Sequence, residues 1–267
     1  MSDVLTAPRK PTGFSALANP TRFMALSAKL LPWLWSMAIA LTAVGLFWAW
    51  NAPEDYQQGI TVRIMYIHVP SAWMAMFVYI VMAISALGVL IWRHPLADVS
   101  IRAAVPLGAA FTLICLVTGS LWGRPMWGTW WVWDARLTSV FVLFLMYLGI
   151  FALQRAMDDP VKSARPAAIL VLVGVINIPI IRFSVDWWNT LHQPASVIRL
   201  DGPTIHPTML WPLLICAIGF TLLFFAMHML GMRNEVRQRR IEGMRRANAI
   251  DGFSKPMRVV IDEGGSS

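Results

Sequence analysis

The stretch Trp127–Ser139 reads WGTWWVWDARLTS and lies between two long apolar runs. Five of the 14 tryptophans of the chain fall between Trp122 and Trp133. Each indole ring can bury about 150–250 Å² of surface, so a loop with this many rings would aggregate if it stayed in water. The rings therefore lie at a membrane interface, against the protein itself, or against a large flat ligand.

The composition around this stretch is that of an integral membrane protein. Of the 267 residues, 57% are hydrophobic and only 13% are charged, about half the charged share of an ordinary globular domain. A helix needs about 20 apolar residues to cross a bilayer, and six apolar runs of this kind recur, the fourth and fifth being short. The runs cover residues 32–50, 71–92, 104–121, 140–153, 167–181 and 207–230. We predict an all-α, polytopic membrane protein with six transmembrane helices.

The lysines and arginines predict how these helices are oriented, because such residues collect in cytoplasmic loops. Seventeen of the 22 lie in the N-terminal segment, the second and fourth connections and the C-terminal tail, and the other five lie in the remaining connections. Both termini are therefore predicted to be cytoplasmic, with the tryptophan-rich loop on the external side. The net charge of +8 follows from this bias, so it requires no nucleic-acid partner. The basic tail also suits anionic lipid headgroups or a cytoplasmic partner.

This division predicts three parts of the chain. A cytoplasmic N-terminal segment covers residues 1–30, a six-helix transmembrane domain covers 31–231 with an external loop at 122–137, and a basic cytoplasmic tail covers 232–267. Neither Cys115 nor Cys216 belongs to a C-x-x-C or C-x-x-C-H pattern, and no Walker motif occurs. Thiol redox catalysis and ATP hydrolysis by this chain are therefore not expected.

Three of the five histidines lie on the predicted external side near helix ends, namely His68, His192 and His206. Two imidazoles with tryptophans between them suit a planar metal macrocycle, because haem iron accepts axial histidine nitrogens and a porphyrin stacks on indole rings. Aromatic residues also collect at membrane interfaces without binding any ligand. A histidine before a proline, as at His206-Pro207, is typical of a helix start. From the residues alone, both interpretations stay open.

Arginines on the external side are candidates for the two propionates of such a macrocycle, because guanidinium groups form bidentate contacts with carboxylates. Arg63, Arg124 and Arg199 are candidates by location alone.

The stretch Trp127–Ser139 resembles the tryptophan-rich WWD motif of a haem-handling family. That family includes the cytochrome c maturation proteins CcmC and CcmF and the related cytochrome c synthases. The ending WDARLTS, the six predicted helices and the length of 267 residues are similar to the CcmC branch. Two further stretches match its pattern, YIHVPSAW at residues 66–73 and DWWNTLHQ at residues 186–193. The resemblance covers residues 30–230, with only the two tails outside it.

The resemblance implies that His68 and His192 are the two axial ligands of haem iron, and that the WWD loop binds the exposed edge of the porphyrin. It carries over the remaining cofactor-binding residues, which are Trp127, Gly128, Trp130, Trp131, Trp133, Asp134 and Arg136. Three roles are open for Asp134, namely orienting a ligand, contacting the chaperone and capping the fourth helix. The role of Arg136 is open as well. The resemblance further implies that the cofactor is haem b, bound non-covalently and transiently, which agrees with the missing C-x-x-C-H pattern.

The resemblance also implies a function, a location and partners. CcmC-like proteins present haem at the periplasmic face of the bacterial inner membrane to the haem chaperone CcmE. They work with the small membrane protein CcmD and the ABC transporter subunits CcmA and CcmB. The chain is then expected to be a delivery component rather than an enzyme. The alternatives are a membrane haem-b electron-transfer protein, a haem-conducting transporter subunit, and a scaffold that recruits a partner by aromatic stacking without binding haem.

Overall fold

The structure is a computed structural model that describes residues 19–157, 159–194 and 196–254. Most of the predicted N-terminal segment and the end of the predicted tail lie outside those residues. Within them the chain forms seven α-helices and one 3-10 helix, and it contains no β-strand, only an isolated bridge between Asp55 and Gly59. The helices are α1 (Pro20–Trp50), the 3-10 helix (Ile60–Ile64), α2 (Met65–Trp92), α3 (Pro95–Trp127), α4 (Ala135–Ala156), α5 (Pro160–Gly174), α6 (Asn177–Trp187) and α7 (Pro207–Ser254).

Six helical spans of the described residues are long and apolar enough to cross a membrane. The predicted all-α, six-span membrane fold is therefore confirmed. The fifth span consists of α5 and α6, and the 3-10 helix leads into the second span. Because successive spans run in opposite directions, α1, α3 and α6 end at the same end of the bundle at which α2, α4 and α7 begin.

The fifth span is broken between Gly174 and Asn177. Pro179 explains the break, because its nitrogen carries no hydrogen and its ring would clash with the carbonyl of residue 175 in a continuous helix. The side-chain amide of Asn177 donates to the carbonyl of Ser139 in α4 at 2.8 Å. This contact anchors the start of α6 on α4, so α6 is a separate short helix with its own attachment.

The core between α2, α3 and α4 centres on Tyr79 and Tyr147, whose rings meet edge to face at 5.3 Å. The Tyr147 hydroxyl donates to the carbonyl of Ala75 at 2.7 Å. A Cβ at Gly108 would overlap the Tyr147 ring, and one at Gly174 would overlap the Tyr79 hydroxyl. Helices in lipid associate through close contacts at small residues. These two glycines therefore set how closely α3 and α5 approach the tyrosines.

The first span packs chiefly on α7, through the same kind of contact. A Cβ at Gly45 would lie 2.7 Å from the Cys216 sulfur, and one at Gly219 would lie 2.7 Å from the Thr42 hydroxyl. The rest of α1 is largely exposed, with the Phe47 side chain 67% accessible. Its exposed apolar side chains suit contact with lipid.

At the opposite end of the bundle, four charged side chains join α3 to α7. The Asp98 carboxylate lies 2.5 Å from the Arg239 guanidinium and 3.9 Å from that of Arg102. Glu235 lies 2.7 Å from Arg239 and 3.7 Å from Arg102. Two predicted domain boundaries, 30/31 and 231/232, fall inside α1 and α7 respectively. The basic part of the chain therefore starts within a continuous helix that is tied to the bundle.

We expect Gly108→Ala to lower the melting temperature of the detergent-purified protein, because the new methyl group overlaps the Tyr147 ring. Overpacking of this kind costs about 1–3 kcal/mol. Gly149→Ala is the matched control, since a Cβ at Gly149 meets nothing within 4 Å and alanine is the better helix former. Equal melting temperatures for the two variants, measured by thermal unfolding, would contradict this packing.

Candidate functional site

A cavity of about 880 Å³ lies at the end of the bundle where α2 and α4 begin and α3 ends. Its size falls in the range of about 300–1,000 Å³ that is common for cofactor and small-molecule sites. The wall includes seven residues that the sequence analysis named, which are His68, Trp122, Trp127, Trp131, Arg136, His192 and His206. Residues far apart in the sequence therefore meet in one site.

His68 lies in the first turn of α2, and its ring is held by α3. Its Nδ1 is 3.1 Å from the Cys115 carbonyl oxygen and 3.1 Å from the Thr118 hydroxyl. A carbonyl can only accept a hydrogen bond, so Nδ1 carries the hydrogen and the Nε2 lone pair is free. Histidines that ligate metals commonly donate their other ring N–H in this way. The His68 ring is thus oriented for ligation through Nε2.

The packing around His68 leaves little freedom for the ring. The Trp122 ring meets it edge to face at 5.6 Å, and the Trp122 indole donates to the Gln58 side chain at 3.1 Å. A Cβ at Gly119 would lie 3.0 Å from the His68 Cε1. A glycine at this position of α3 therefore allows the ring to sit against the helix.

His192 lies in the segment between α6 and α7, beside the WWD loop. Its ring meets the Trp127 ring edge to face at 5.0 Å. Its Nδ1 is buried without a hydrogen-bond partner among the described residues, 3.8 Å from the Asp134 carboxylate. That separation is longer than a hydrogen bond. A short movement of the His192 ring would therefore bring its Nδ1 to the carboxylate.

Asp134 has several contacts that explain its position. Its carboxylate accepts the backbone N–H of Leu137 at 2.8 Å, which caps α4, and the backbone N–H of Leu191 at 3.3 Å. The first contact confirms the predicted helix cap. The second joins the start of α4 to the segment that carries His192.

The electrostatic surroundings keep the His192 imidazole neutral. Burial and, to a smaller extent, the Arg136 guanidinium lower its pKa to about 4, whereas the Asp134 carboxylate opposes both effects. A neutral imidazole is the form that binds a metal. The ring is thus ready for ligation at ordinary pH.

The four tryptophans that the resemblance assigns to cofactor binding fall into two groups, according to whether they line the cavity. Trp127 and Trp131 line the cavity, whereas Trp130 and Trp133 do not line it and are 56% and 74% exposed. Trp131 and Trp133 meet edge to face at 5.5 Å and pack with Phe141 around an apolar groove on the outside of the bundle. The Trp131 indole nitrogen is buried without a partner among the described residues. It is therefore a free donor at the site.

The external loop is shorter than the predicted residues 122–137, because only 128–134 lie outside helices. Helix α3 continues to Trp127 and ends at Gly128, whose φ of +74° lies in the left-handed region that favours glycine. Helix α4 starts directly after the cap at Asp134. Gly128 caps the end of α3 and does not line the cavity.

Two arginines lie in the cavity wall. The Arg136 guanidinium donates to the Ser184 hydroxyl at 3.0 Å and to the Ile181 carbonyl at 3.3 Å, which ties α4 to α6. Arg182 also lines the cavity. Its position at the external end of the fifth apolar run was the signal in the sequence that could have identified it.

The three arginines selected by location do not line the cavity. The Arg63 guanidinium lies 5.5 Å from the centre of the Trp50 ring. Arg124 donates to the Gly128 carbonyl, and Arg199 pairs with Asp201 at 2.6 Å. Each is committed to a local contact that the sequence did not indicate.

His206 lines the cavity too, but its ring has a different role. Its Nδ1 accepts the backbone N–H of Thr208 at 3.3 Å and lies 2.8 Å from the Thr208 hydroxyl. Because an N–H can only donate, Nδ1 is the acceptor, and Nε2 carries the hydrogen in the neutral ring. This is the opposite tautomer to that of His68. Helix α7 begins at Pro207, so the predicted helix start is confirmed.

Comparison with known proteins agrees with the motifs in this site. A family model described as heme exporter protein C matches residues 13–247. The chain belongs to this family. It is 62% identical over 233 residues to heme exporter protein C of Bradyrhizobium diazoefficiens, which covers 87% of this chain and 89% of the relative. The corresponding protein of Escherichia coli K12 is 47% identical over 219 residues, which covers 82% of this chain and 88% of the relative.

A third relative, heme exporter protein C of Paracoccus denitrificans, is 44% identical over 228 residues, covering 85% of this chain and 95% of the relative. The resemblance of the chain to the CcmC branch is thus confirmed. The heme exporter protein C family match covers α1 to α6 and most of α7, so the cavity lies wholly within it.

We expect the His192 ring to stay neutral as the pH falls from about 8 to about 5.5, since its pKa in the folded protein is about 4. In the unfolded chain the pKa returns to its ordinary value of 6.5. Between pH values of about 4 and 6.5, the folded protein binds fewer protons at His192 than the unfolded chain does. The free energy of unfolding therefore falls as the pH falls through this range. NMR of ¹⁵N-histidine-labelled protein, with His192→Gln for assignment, measures the midpoint. A midpoint near 6.5 would show that the ring is open to water.

Proposed function

We propose that this protein holds haem b non-covalently at the external membrane face and delivers it to a haem chaperone for cytochrome c maturation. The observation that carries the proposal is the pair His68 and His192 in the wall of one cavity, with indole rings beside both. The printed name of the relatives, heme exporter protein C, supports haem as the cargo. Haem supplies an iron with two axial positions for imidazole nitrogens.

The two histidines suit those positions for different reasons. The Nδ1 hydrogen of His68 is already donated to α3, which leaves Nε2 as the ligand. The Nδ1 of His192 faces the Asp134 carboxylate at 3.8 Å. When that gap closes, the carboxylate accepts the Nδ1 hydrogen and raises the basicity of the imidazole. Asp134 thus orients a ligand rather than binding haem itself.

The remaining cavity residues suit the other parts of the cargo. Trp127 and Trp131 offer ring faces to the porphyrin. Arg136 and Arg182 are cations for the propionates, and the buried indole N–H of Trp131 is a further donor. The other residues that the resemblance assigns to cofactor binding, Gly128, Trp130 and Trp133, act through the shape of the loop or through contact with lipid or the chaperone.

Delivery requires that one ligand leave before the other. His68 is part of a helix and its ring is held by two contacts at 3.1 Å. His192 lies in a connecting segment, where its backbone N–H is bonded to the Thr190 hydroxyl at 2.8 Å. We infer that a side chain of the chaperone displaces His192 while His68 keeps the iron. Haem is then shared between the two proteins beside the WWD loop.

We propose that the cavity end of the bundle faces the periplasm and that both termini are cytoplasmic in the bacterial inner membrane. The opposite end carries Arg93, Arg102 and Arg155 beside the basic part of α7, as the positive-inside rule requires. The haem-handling domain then covers residues 31–231. The proposed partners are the chaperone CcmE, the small protein CcmD and the transporter subunits CcmA and CcmB.

We expect His68→Ala and His192→Ala each to abolish the low-spin haem spectrum of the detergent-purified protein co-expressed with its chaperone. Each substitution removes one axial ligand, and the spectrum becomes high-spin or is lost. His206→Ala is the matched control, because this ring lines the same cavity but its Nδ1 accepts a backbone N–H. Absorption spectra with pyridine haemochrome quantification measure both spin state and haem content.

Three outcomes of this experiment would contradict the proposal. An unchanged spectrum in both alanine variants would place the iron ligands elsewhere, and a loss only in His206→Ala would name the other ligand. A colourless parent protein would leave a scaffold that recruits a partner without haem.

We expect Trp131→Leu to release haem about fivefold faster than the parent, since a stacked aromatic contact contributes about 1 kcal/mol. Trp133→Leu, in the same loop but outside the cavity, should release haem at the parental rate. Transfer of haem to excess apomyoglobin gives both rates. If both variants lose haem equally fast, the loop binds haem as a whole, and the distinction between tryptophans inside and outside the cavity is wrong.

A further inference from the structure

The apolar groove beside Trp131 lies on the outside of the bundle, between α3 and α4. It has a volume of about 530 Å³, and we term it the lateral groove. Its residues on α3 fall in three successive turns between Leu113 and Leu121, with the spacing of one helix face. Among the described residues, its wall consists of aliphatic and aromatic side chains together with Ser120. The lateral groove therefore suits an apolar occupant.

The depth of the lateral groove along α3 places it near the cavity end of the bundle. Leu121 and Leu113 lie about 9 Å and about 21 Å before the end of α3 at Trp127, at about 1.5 Å per residue. Both leucines are exposed, and so is Trp133 at the external edge of the groove. Tryptophans collect at the level of the lipid headgroups. In the proposed orientation, the lateral groove therefore opens toward the outer leaflet.

The lateral groove and the cavity share three wall residues, which are Leu116, Ser120 and Trp131. The first two belong to α3, whereas Trp131 belongs to the loop of residues 128–134. The Trp131 ring contacts Phe141 edge to face at 6.1 Å, and its indole N–H has no hydrogen-bond partner among the described residues. Side chains therefore separate the two spaces, and the one contributed by the loop is held by ring contacts rather than by a hydrogen bond.

We propose that the lateral groove is a portal through which haem passes from the outer leaflet of the bilayer into the cavity. The inference rests on the proposed function and adds the route by which the cargo arrives. The Trp131 ring turns aside to join the two spaces, and it then offers its face to the macrocycle from inside the cavity. Loops that cover binding sites belong to the least stable parts of a fold, so a loop residue suits this movement.

The chemistry of haem favours an entrance from lipid. Its macrocycle is a flat apolar ring, whose transfer out of water is favourable, while its two propionates stay near the headgroups. The lateral groove offers apolar side chains to the ring, and the cations Arg136 and Arg182 lie in the wall of the adjoining cavity. An acyl chain would also fit an apolar groove. It would not account for a wall shared with a cavity that contains histidines and cations.

The test measures how fast the full chain takes up haemin from its own bilayer. The apoprotein is reconstituted in phosphatidylethanolamine/phosphatidylglycerol liposomes, haemin is added at a fixed ratio to lipid, and the growth of the low-spin spectrum gives the rate. Val117→Trp and Leu121→Trp each place a large ring in the lateral groove, at positions that do not line the cavity. We expect each variant to slow uptake at least about fivefold, because an obstructed route raises the barrier. The final haem content should stay parental, since the binding equilibrium is unchanged.

Val173→Trp is the matched control for Val117→Trp. The two valines are 61% and 51% exposed, and Val173, on α5, lines neither the lateral groove nor the cavity. The same substitution there should leave the uptake rate at the parental value. In the parent protein, the rate should follow the ratio of haemin to lipid and not the concentration of haemin in the whole sample.

Parental rates in both groove variants would overturn the proposal, and an acyl chain would then be the occupant of the groove. Equal slowing in Val173→Trp would overturn it as well, because any tryptophan on the lipid surface would then have the same effect. So would a final haem content that falls in both groove variants, since the new rings would then act on the cavity itself. A parent protein without a low-spin spectrum would refute the proposed haem site and this inference with it, before any rates are compared.

Discussion

The Asp134 carboxylate is the contact on which the geometry of the site depends. One oxygen caps α4, and the other accepts the N–H of Leu191 and faces the imidazole of His192. A charged acceptor at a helix N-terminus is favoured by the unpaired N–H groups there and by the helix dipole. The same group therefore ends the WWD loop and holds the neighbouring segment near it. Without this carboxylate, the two segments have no polar contact at that point.

The two histidines are held with unequal strength, which suits the proposed binding and transfer of haem. His68 is fixed by a helix, a carbonyl, a hydroxyl and an indole edge. His192 depends on a connecting segment, and its Nδ1 is not yet hydrogen-bonded. A site with two equally fixed ligands would retain the cargo. A site with one fixed and one movable ligand binds haem and still offers one axial position to an acceptor.

The sequence predicts the fold well because its signal is local. Apolar runs of bilayer length define helices wherever they pack, and the cap at Asp134 and the helix start at Pro207 follow from adjacent residues. Which residues line the cavity, in contrast, depends on contacts between segments that are far apart in the sequence. Arg63, Arg124 and Arg199 were selected because they lie on the external side, but each is engaged by a nearby group. The difference between Trp131, which lines the cavity, and Trp133, which does not, likewise depends on tertiary packing.

The broken fifth span separates the segment that carries His192, the proposed movable ligand, from His68, the proposed fixed ligand. His68 is held between α2 and α3, whose contact is set by close packing. His192 follows α6, which is a separate short helix attached to α4 through Asn177 and Arg136. A continuous fifth helix would couple His192 to α5 and the core around Tyr79. With the break, α6 is a separate helix that packs on α4 through polar contacts of Asn177 and Arg136 and through the buried side chain of Ile181. The break at Pro179 therefore gives the segment that carries His192, the proposed exchangeable ligand, an attachment separate from α5.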